Sequence, residues 1–263
     1  MREILVHVPF RGTIRERSVE PYVHLLRGLR ERRRVKGVLL DISSPGGEVV
    51  ASTDLFLAVK RLDATKPVFA SIGGVGASGG YLAAVGARRV YAYPESQVGS
   101  IGVVYPHVAV QELLRRLGIS VELLHVGEHK DAYSGYRSLT DVERGKMLAV
   151  AQDDYDAFVR AVAEARHRPL EEVRALATGE VWSGVRAQSL GLVDALGDRE
   201  VALEDLAKAV GVASRRTVRL TPPRPFLARL FDRGGGFSAA VAGRLTEVVE
   251  DVLADLGGPG SRH

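Results

Sequence analysis

Short apolar runs alternate with stripes of helical period along most of the chain. Residues 3–9 predict a first strand, and residues 18–34 a helix with Val19, Tyr22, Val23, Leu26 and Leu29 on one face. Residues 38–42 form an unbroken apolar run, the pattern of a strand buried on both faces of a parallel sheet. That run ends in Ser43-Ser44-Pro45-Gly46-Gly47, and a helical pattern follows from Glu48 to about Leu62. Residues 67–72 predict the next buried strand, which delivers a glycine-rich loop and another helix. A further strand is expected over 90–93, a Gly-rich, β-branched segment over 94–104, a helix over 108–117 stopped by Gly118, and a strand over 121–126. Thr140 and Glu143 have the spacing of a capping box, opening a long helix that runs to about His167. Pro169 restarts a shorter helix, Gly179 ends it, and residues 181–197 read as a short helix followed by a Gly-ended apolar run. The repeated order of strand, loop and helix predicts the α/β class.

The rhythm changes after about Ala213. Pro222, Pro223, Pro225 and Gly234 to Gly236 divide the tail into pieces around two amphipathic segments, 226–231 and 239–256. Residues 1–213 are therefore expected to form the main domain, with 214–263 as a helical appendage. Phe226, Leu227, Leu230 and Phe231 give the appendage an apolar face, read as an ordinary packed helix in preference to a contact with a neighbouring subunit or a membrane surface. The N-terminal run is short and alternates like a strand, which argues against a signal peptide or membrane anchor; the chain as written reads as soluble, its compartment open, with cytoplasmic preferred to extracytoplasmic. A balance of 36 basic and 32 acidic residues gives no support to nucleic-acid binding. The basic run from Arg30 to Lys36 is read as the solvated C-terminal end of a helix. With no cysteine, thiolate nucleophiles and Cys-based metal sites are excluded.

Candidate chemistry centres on residues 74–84, GVGASGGYLAA, where four glycines surround Ser78 between a strand and a helix. Gly76-Ala77-Ser78-Gly79-Gly80 fits the nucleophile-elbow pattern G-x-S-x-G by letter, and a glycine-rich turn with an incidental serine fits it equally well. A serine needs a partner to take its proton. His107 follows 29 residues later, but it stands directly after Pro106 at a helix start, as a surface or capping histidine does. His125 and His129 lie on a predicted strand and turn and do not share a face, so no metal site is expected. No Gly-Lys-Ser/Thr follows the glycines, so no nucleotide cofactor is expected either.

The Ser78 loop, the Ser44-Pro45-Gly46-Gly47 turn, the segment Val98-Gly99-Ser100-Ile101-Gly102-Val103, the His129-Lys130-Asp131 turn, and the block with Ala187, Gly191, Leu192, Val193 and Asp194 occur in one order. Together they resemble the short bacterial form of the signal peptide peptidase family. The resemblance covers about residues 38–197. It implies a Clp/crotonase-like fold, Ser78 as nucleophile, Lys130 as general base 52 residues later, and Ser100 as the serine that holds the lysine in place. It further implies remnant signal peptides or other unfolded apolar segments as substrates, and a homo-oligomeric ring or dome with sites near subunit contacts. Relatives carry a membrane anchor before the first strand, and this chain departs from them there.

Two physical conditions accompany that reading. Lysine is a base only when neutral, and moving its pKa from about 10.4 to about 7 takes roughly 4–5 kcal/mol of differential destabilisation of the ammonium. Asp131 opposes this if it faces Lys130, so it is expected to point away or pair elsewhere. An oxyanion needs donors, and the amides of Gly46 or Gly47 with that of Gly79 are placed to supply two. Competing readings are a crotonase-like acyl-CoA hydratase or isomerase, in which Ser78 has no use, and a catalytically inert assembly protein on the same scaffold.

Overall fold

The computed structural model describes residues 2–222. The tail segments 226–231 and 239–256, with their expected helices and apolar face, lie outside the described residues. In chain order the elements are β1 (Ile4–Arg11), α1 (Glu16–Glu31), β2 (Val35–Ser44), α2 (Val49–Asp63), β3 (Val68–Ala77), α3 (Gly79–Val85), β4 (Arg89–Ala92), β5 (Gln97–Gly99), α4 (Gln111–Arg116), α5 (Asp141–Arg166), α6 (Leu170–Leu176), β6 (Val181–Ser183), α7 (Gly184–Ser189), β7 (Ala195–Leu196), α8 (Arg199–Val210) and β8 (Thr217–Arg219).

The strands form one sheet in the order β6-β5-β3-β2-β1-β8, with β4 and β7 branching from β3. All pairings are parallel except β5 with β6. β3 serves two partners in turn: its first half pairs with β4, and its last three residues pair with β5. Alternate side chains go to opposite layers, as the two-residue period of a strand requires. Val38, Leu40, Ile42, Val68, Ala70 and Ile72 join the core beneath α1, α2, α3 and α5. Leu5, Leu39, Phe69 and Tyr91 pack on the other face against Ala202, Leu206 and Ala207 of α8. Burial on both faces is why the β2 and β3 sequences are nearly continuous apolar runs. Further along the α8 face, Asp41 of β2 is buried and bonded to His7 Nε2 at 3.1 Å and to Arg11 Nη2 at 2.6 Å. Burial pushes the Asp41 pKa up, but the bonds from His7 and Arg11 outweigh it and leave the carboxyl below its ordinary value.

Three expectations change. The stretch Gly73–Ala77 is strand, not loop: β3 runs to Ala77 and α3 begins at Gly79, so a single residue separates them. Residues 121–126 form no strand; they are exposed, and among the described residues no strand edge pairs with them. An apolar alternating run forms a strand only where a partner satisfies its backbone. The basic run also divides, since α1 ends at Glu31 and Val35 and Lys36 already belong to β2. The fold continues past Ala213, with β8 extending the sheet beside β1. No helix among the described residues is long and apolar enough to cross a membrane.

Candidate active site

Ser78 occupies the one-residue junction between β3 and α3 with φ 50° and ψ −125°. A side chain with φ in the positive region is strained, at a cost on the order of 1–3 kcal/mol. Its surroundings hold it there: the Ser78 N–H donates to Gly99 O at 2.8 Å, and Ser78 O accepts from Leu82 N at 3.0 Å. All seven residues of α3 are buried. One residue makes the whole passage from strand to helix, and among the described residues its hydroxyl makes no hydrogen bond.

Glycines let the neighbouring segments close around it. A Cβ on Gly46, whose φ is 99°, would lie 2.7 Å from Ser78 Cβ, and one on Gly79 would lie 2.0 Å from Ser52 Oγ. The Gly46-Gly47 turn is anchored on the segment after β1, where Ile14 N donates to Gly46 O at 2.8 Å and Glu48 N donates to Ile14 O at 2.9 Å. In such a parallel bridge the middle residue turns its own N–H away from the partner, so the Gly47 amide faces outward from Ile14. Gly46 N donates to Ser44 Oγ at 3.1 Å. Gly79 is the first residue of α3 and has no intrahelical acceptor for its N–H. Of the two glycines in the turn, Gly47 therefore has the freer amide, while Gly46 provides the close approach.

Ser78, Gly79 and Gly47 open into an apolar pocket of about 200 Å³. Its walls come from α2 (Val49, Thr53, Phe56), from α5 (Ala157, Phe158, Ala161) and from the segment after β5 (Gly102, Val103, Val104). Tyr105 OH donates to Asp154 Oδ2 at 2.5 Å and ties that last wall to α5. The pocket could not be read from the sequence, because its walls are core-like apolar positions on helices far apart in the chain.

Ser100 follows Gly99 as Ser78 follows Ala77, and Ala77 and Gly99 are register partners in β3 and β5. The two serines thus leave neighbouring strands at the same level, both with φ near 50°. Lys130 lies elsewhere. It is exposed on the turn after residues 121–126, does not line the pocket, and among the described residues makes no hydrogen bond to Ser78. Asp131 does pair away from it, with Arg137 Nε at 2.7 Å and Nη2 at 2.8 Å, and this pairing lowers its pKa. His107 Nε2 lies 3.1 Å from Arg137 O and does not face Ser78.

Comparison with known proteins gives the chain a family. Residues 60–213 match the model of peptidase family S49. The chain belongs to that family. This S49 chain is 38% identical over 197 residues to a Methanocaldococcus jannaschii protein whose name marks it as a candidate protease, a match covering 75% of this chain and 63% of that one. It is 32% identical over 198 residues to the chloroplastic serine protease SPPA of Arabidopsis thaliana, covering 75% of this chain and 28% of the relative. The S49 chain thus spans less than two thirds of these relatives' length. Among solved structures, a ClpP1 mutant from Listeria monocytogenes superposes with a TM-score of 0.51 at 17% identity, covering 73% of this chain and 91% of the other. That likeness gives the S49 chain its fold, Clp/crotonase-like. Nothing in these matches supports a hydratase or isomerase.

Proposed function

We propose that the protein is a serine endopeptidase in which Ser78 attacks a peptide carbonyl and forms an acyl-enzyme. The observation that carries this reading is the strained Ser78 at a strand-to-helix junction, with its hydroxyl unengaged at the mouth of an apolar pocket. The Gly79 and Gly47 amides would donate to the oxyanion, each worth about 2.7–4 kcal/mol of barrier. Lys130 would take the serine proton and return it to the leaving amine. Because Lys130 is exposed within one chain, the reading places it against Ser78 of a neighbouring copy, where burial can keep the amine neutral and Ser100 can hold it. The apolar pocket suits an uncharged substrate side chain, as expected for remnant signal peptides and unfolded apolar segments.

The test compares peptide hydrolysis by the wild type, Ser78→Ala and Lys130→Ala, together with mass spectrometry after an acylating serine probe. Both variants are expected to lose activity by a factor on the order of 10³ or more, with probe mass on Ser78 in the wild type. Equal activity in all three chains would end the reading, and absence of hydrolysis in the wild type would favour an inert scaffold.

A further inference from the structure

The turn that carries Lys130 is fastened by one guanidinium. Arg137 reaches Asp131 through Nε and Nη2, and reaches Glu143 through Nη1 at 2.8 Å and Nη2 at 2.6 Å. Glu143 is the N3 residue of α5 and is 3% exposed. Its Oε2 also accepts from Thr140 N at 2.9 Å and Thr140 Oγ1 at 3.0 Å, so the first turn of α5 anchors the whole arrangement. Two histidines border it more loosely: His129 Nδ1 is 3.6 Å from Glu143 Oε1 and His125 Nε2 is 3.8 Å from Asp131 Oδ1. Glu128 is 3.8 Å from His129 Nε2. The charged and titratable groups of this turn and its anchor are therefore Asp131, Glu128, His125, His129, Arg137 and Glu143.

Asp131 is the chain neighbour of Lys130, and a free carboxylate there would pair with the ammonium. An opposite charge within about 4–6 Å favours the charged form and raises a lysine pKa. Both oxygens of Asp131 are instead occupied by the planar fork of Arg137, an arrangement that a lysine at position 137 could not reproduce. We propose, on the reading of Lys130 as general base, that Arg137 is a positioning residue: it sequesters the Asp131 carboxylate from Lys130, and Glu143 holds Arg137 in place to do so. The turn thus carries an acidic residue beside its base without neutralising it.

The experiment is the pH dependence of kcat/KM, whose rising limb reports the base in the free enzyme. Arg137→Gln frees Asp131, which stabilises the ammonium, reduces the neutral fraction at any given pH and moves the rising limb to higher pH. The expected shift is about one unit, or about tenfold in kcat/KM on the acid side of the limb. Adding Asp131→Asn to Arg137→Gln removes the freed carboxylate and is expected to move the limb back. A purely structural role predicts a different result: Arg137→Gln lowers kcat/KM at every pH without displacing the limb, and Asp131→Asn rescues nothing. That result would overturn the proposal. Arg137→Gln leaves the buried Glu143 without its guanidinium, so thermal melting accompanies the series. If Arg137→Gln fails to fold, the same comparison is made on Arg137→Lys with and without Asp131→Asn, where the same direction of shift and the same rescue are expected and their absence overturns the proposal. Lys130→Ala separates the levels. An active Lys130→Ala removes the underlying reading, whereas an inactive one beside an unshifted Arg137 series removes only the role given to Arg137.

Discussion

Ser78 is held in a conformation that only its neighbours make tolerable, so its backbone and its hydroxyl can be tested apart. Ser78→Ala removes the hydroxyl and keeps a Cβ at φ 50°, so little change in stability is expected. Ser78→Gly removes the strain as well, and is expected to raise the free energy of unfolding by about 1 kcal/mol while abolishing hydrolysis. Urea unfolding of the two variants side by side checks this; equal stabilities would mean that the junction is unstrained. Gly47 presents the opposite case. A Cβ there would come within 1.9 Å of Ile14 O, a backbone atom that cannot give way cheaply. Gly47→Ala is therefore expected to displace the turn and lower kcat at least tenfold, with KM for short peptides changing less. Steady-state kinetics on a folded variant measure the split.

At the scale of elements, α5 supplies both the wall of the pocket and the anchor of the Lys130 turn. Ala161 lines the pocket, and Ala161→Phe is expected to fill it. Peptides with a large apolar residue before the scissile bond should then lose about tenfold or more in kcat/KM, while those with alanine there are largely retained. A uniform loss across the series would place the substrate side chain elsewhere. Much of this element was legible beforehand: Thr140 and Glu143 mark its start, and both capping bonds are formed. The other half of Glu143's work was not legible, because its bond to Arg137 depends on a turn whose shape no periodicity encodes. β2 and β3 announced themselves as apolar runs, yet the continuation of β3 through Gly73, Gly74 and Gly76 ran against the low strand preference of glycine. There Gly76 is required by packing, since a Cβ would meet the Ile72 side chain at 2.7 Å. Residues 121–126 failed in the opposite sense: the pattern is that of a strand, but among the described residues no strand pairs with it.

For the molecule as a whole, Asp41 and Asp194 join Glu143 and Asp131 among the carboxyls whose lowered pKa values shape the response to acid. Burial pushes Asp41 and Asp194 up, and the combined bonds and nearby charges, for Asp41 of His7 and Arg11 and for Asp194 of Arg166 and the Val90 amide, bring them below their ordinary values. A depressed carboxylate contributes stability that is complete above its unfolded value of about 4 and disappears as pH falls through its folded value. The urea midpoint is therefore expected to be nearly flat from pH 7 to 5 and to drop below about pH 4, less steeply in Asp41→Asn than in the wild type.

The exposed apolar side chains are concentrated on one stretch, with Val104 84%, Leu124 91% and Val126 97% accessible. On the proposed reading, in which Lys130 reaches a neighbouring copy, this stretch is where the copies meet. If copies assemble through it, the double change Leu124→Asp and Val126→Asp is expected to leave single chains in sedimentation and to abolish hydrolysis, without moving the melting temperature of the single chain. Retained activity in a dissociated variant would show that one copy suffices. The contrast between a serine fixed at the β3–α3 junction and a lysine on an exposed turn has a further consequence. A newly made, solitary copy would carry a nucleophile that is already shaped but not yet armed, harmless to the unfolded chains around it. Hydrolysis per chain would then climb with protein concentration and fade on dilution, which makes abundance itself the on-switch.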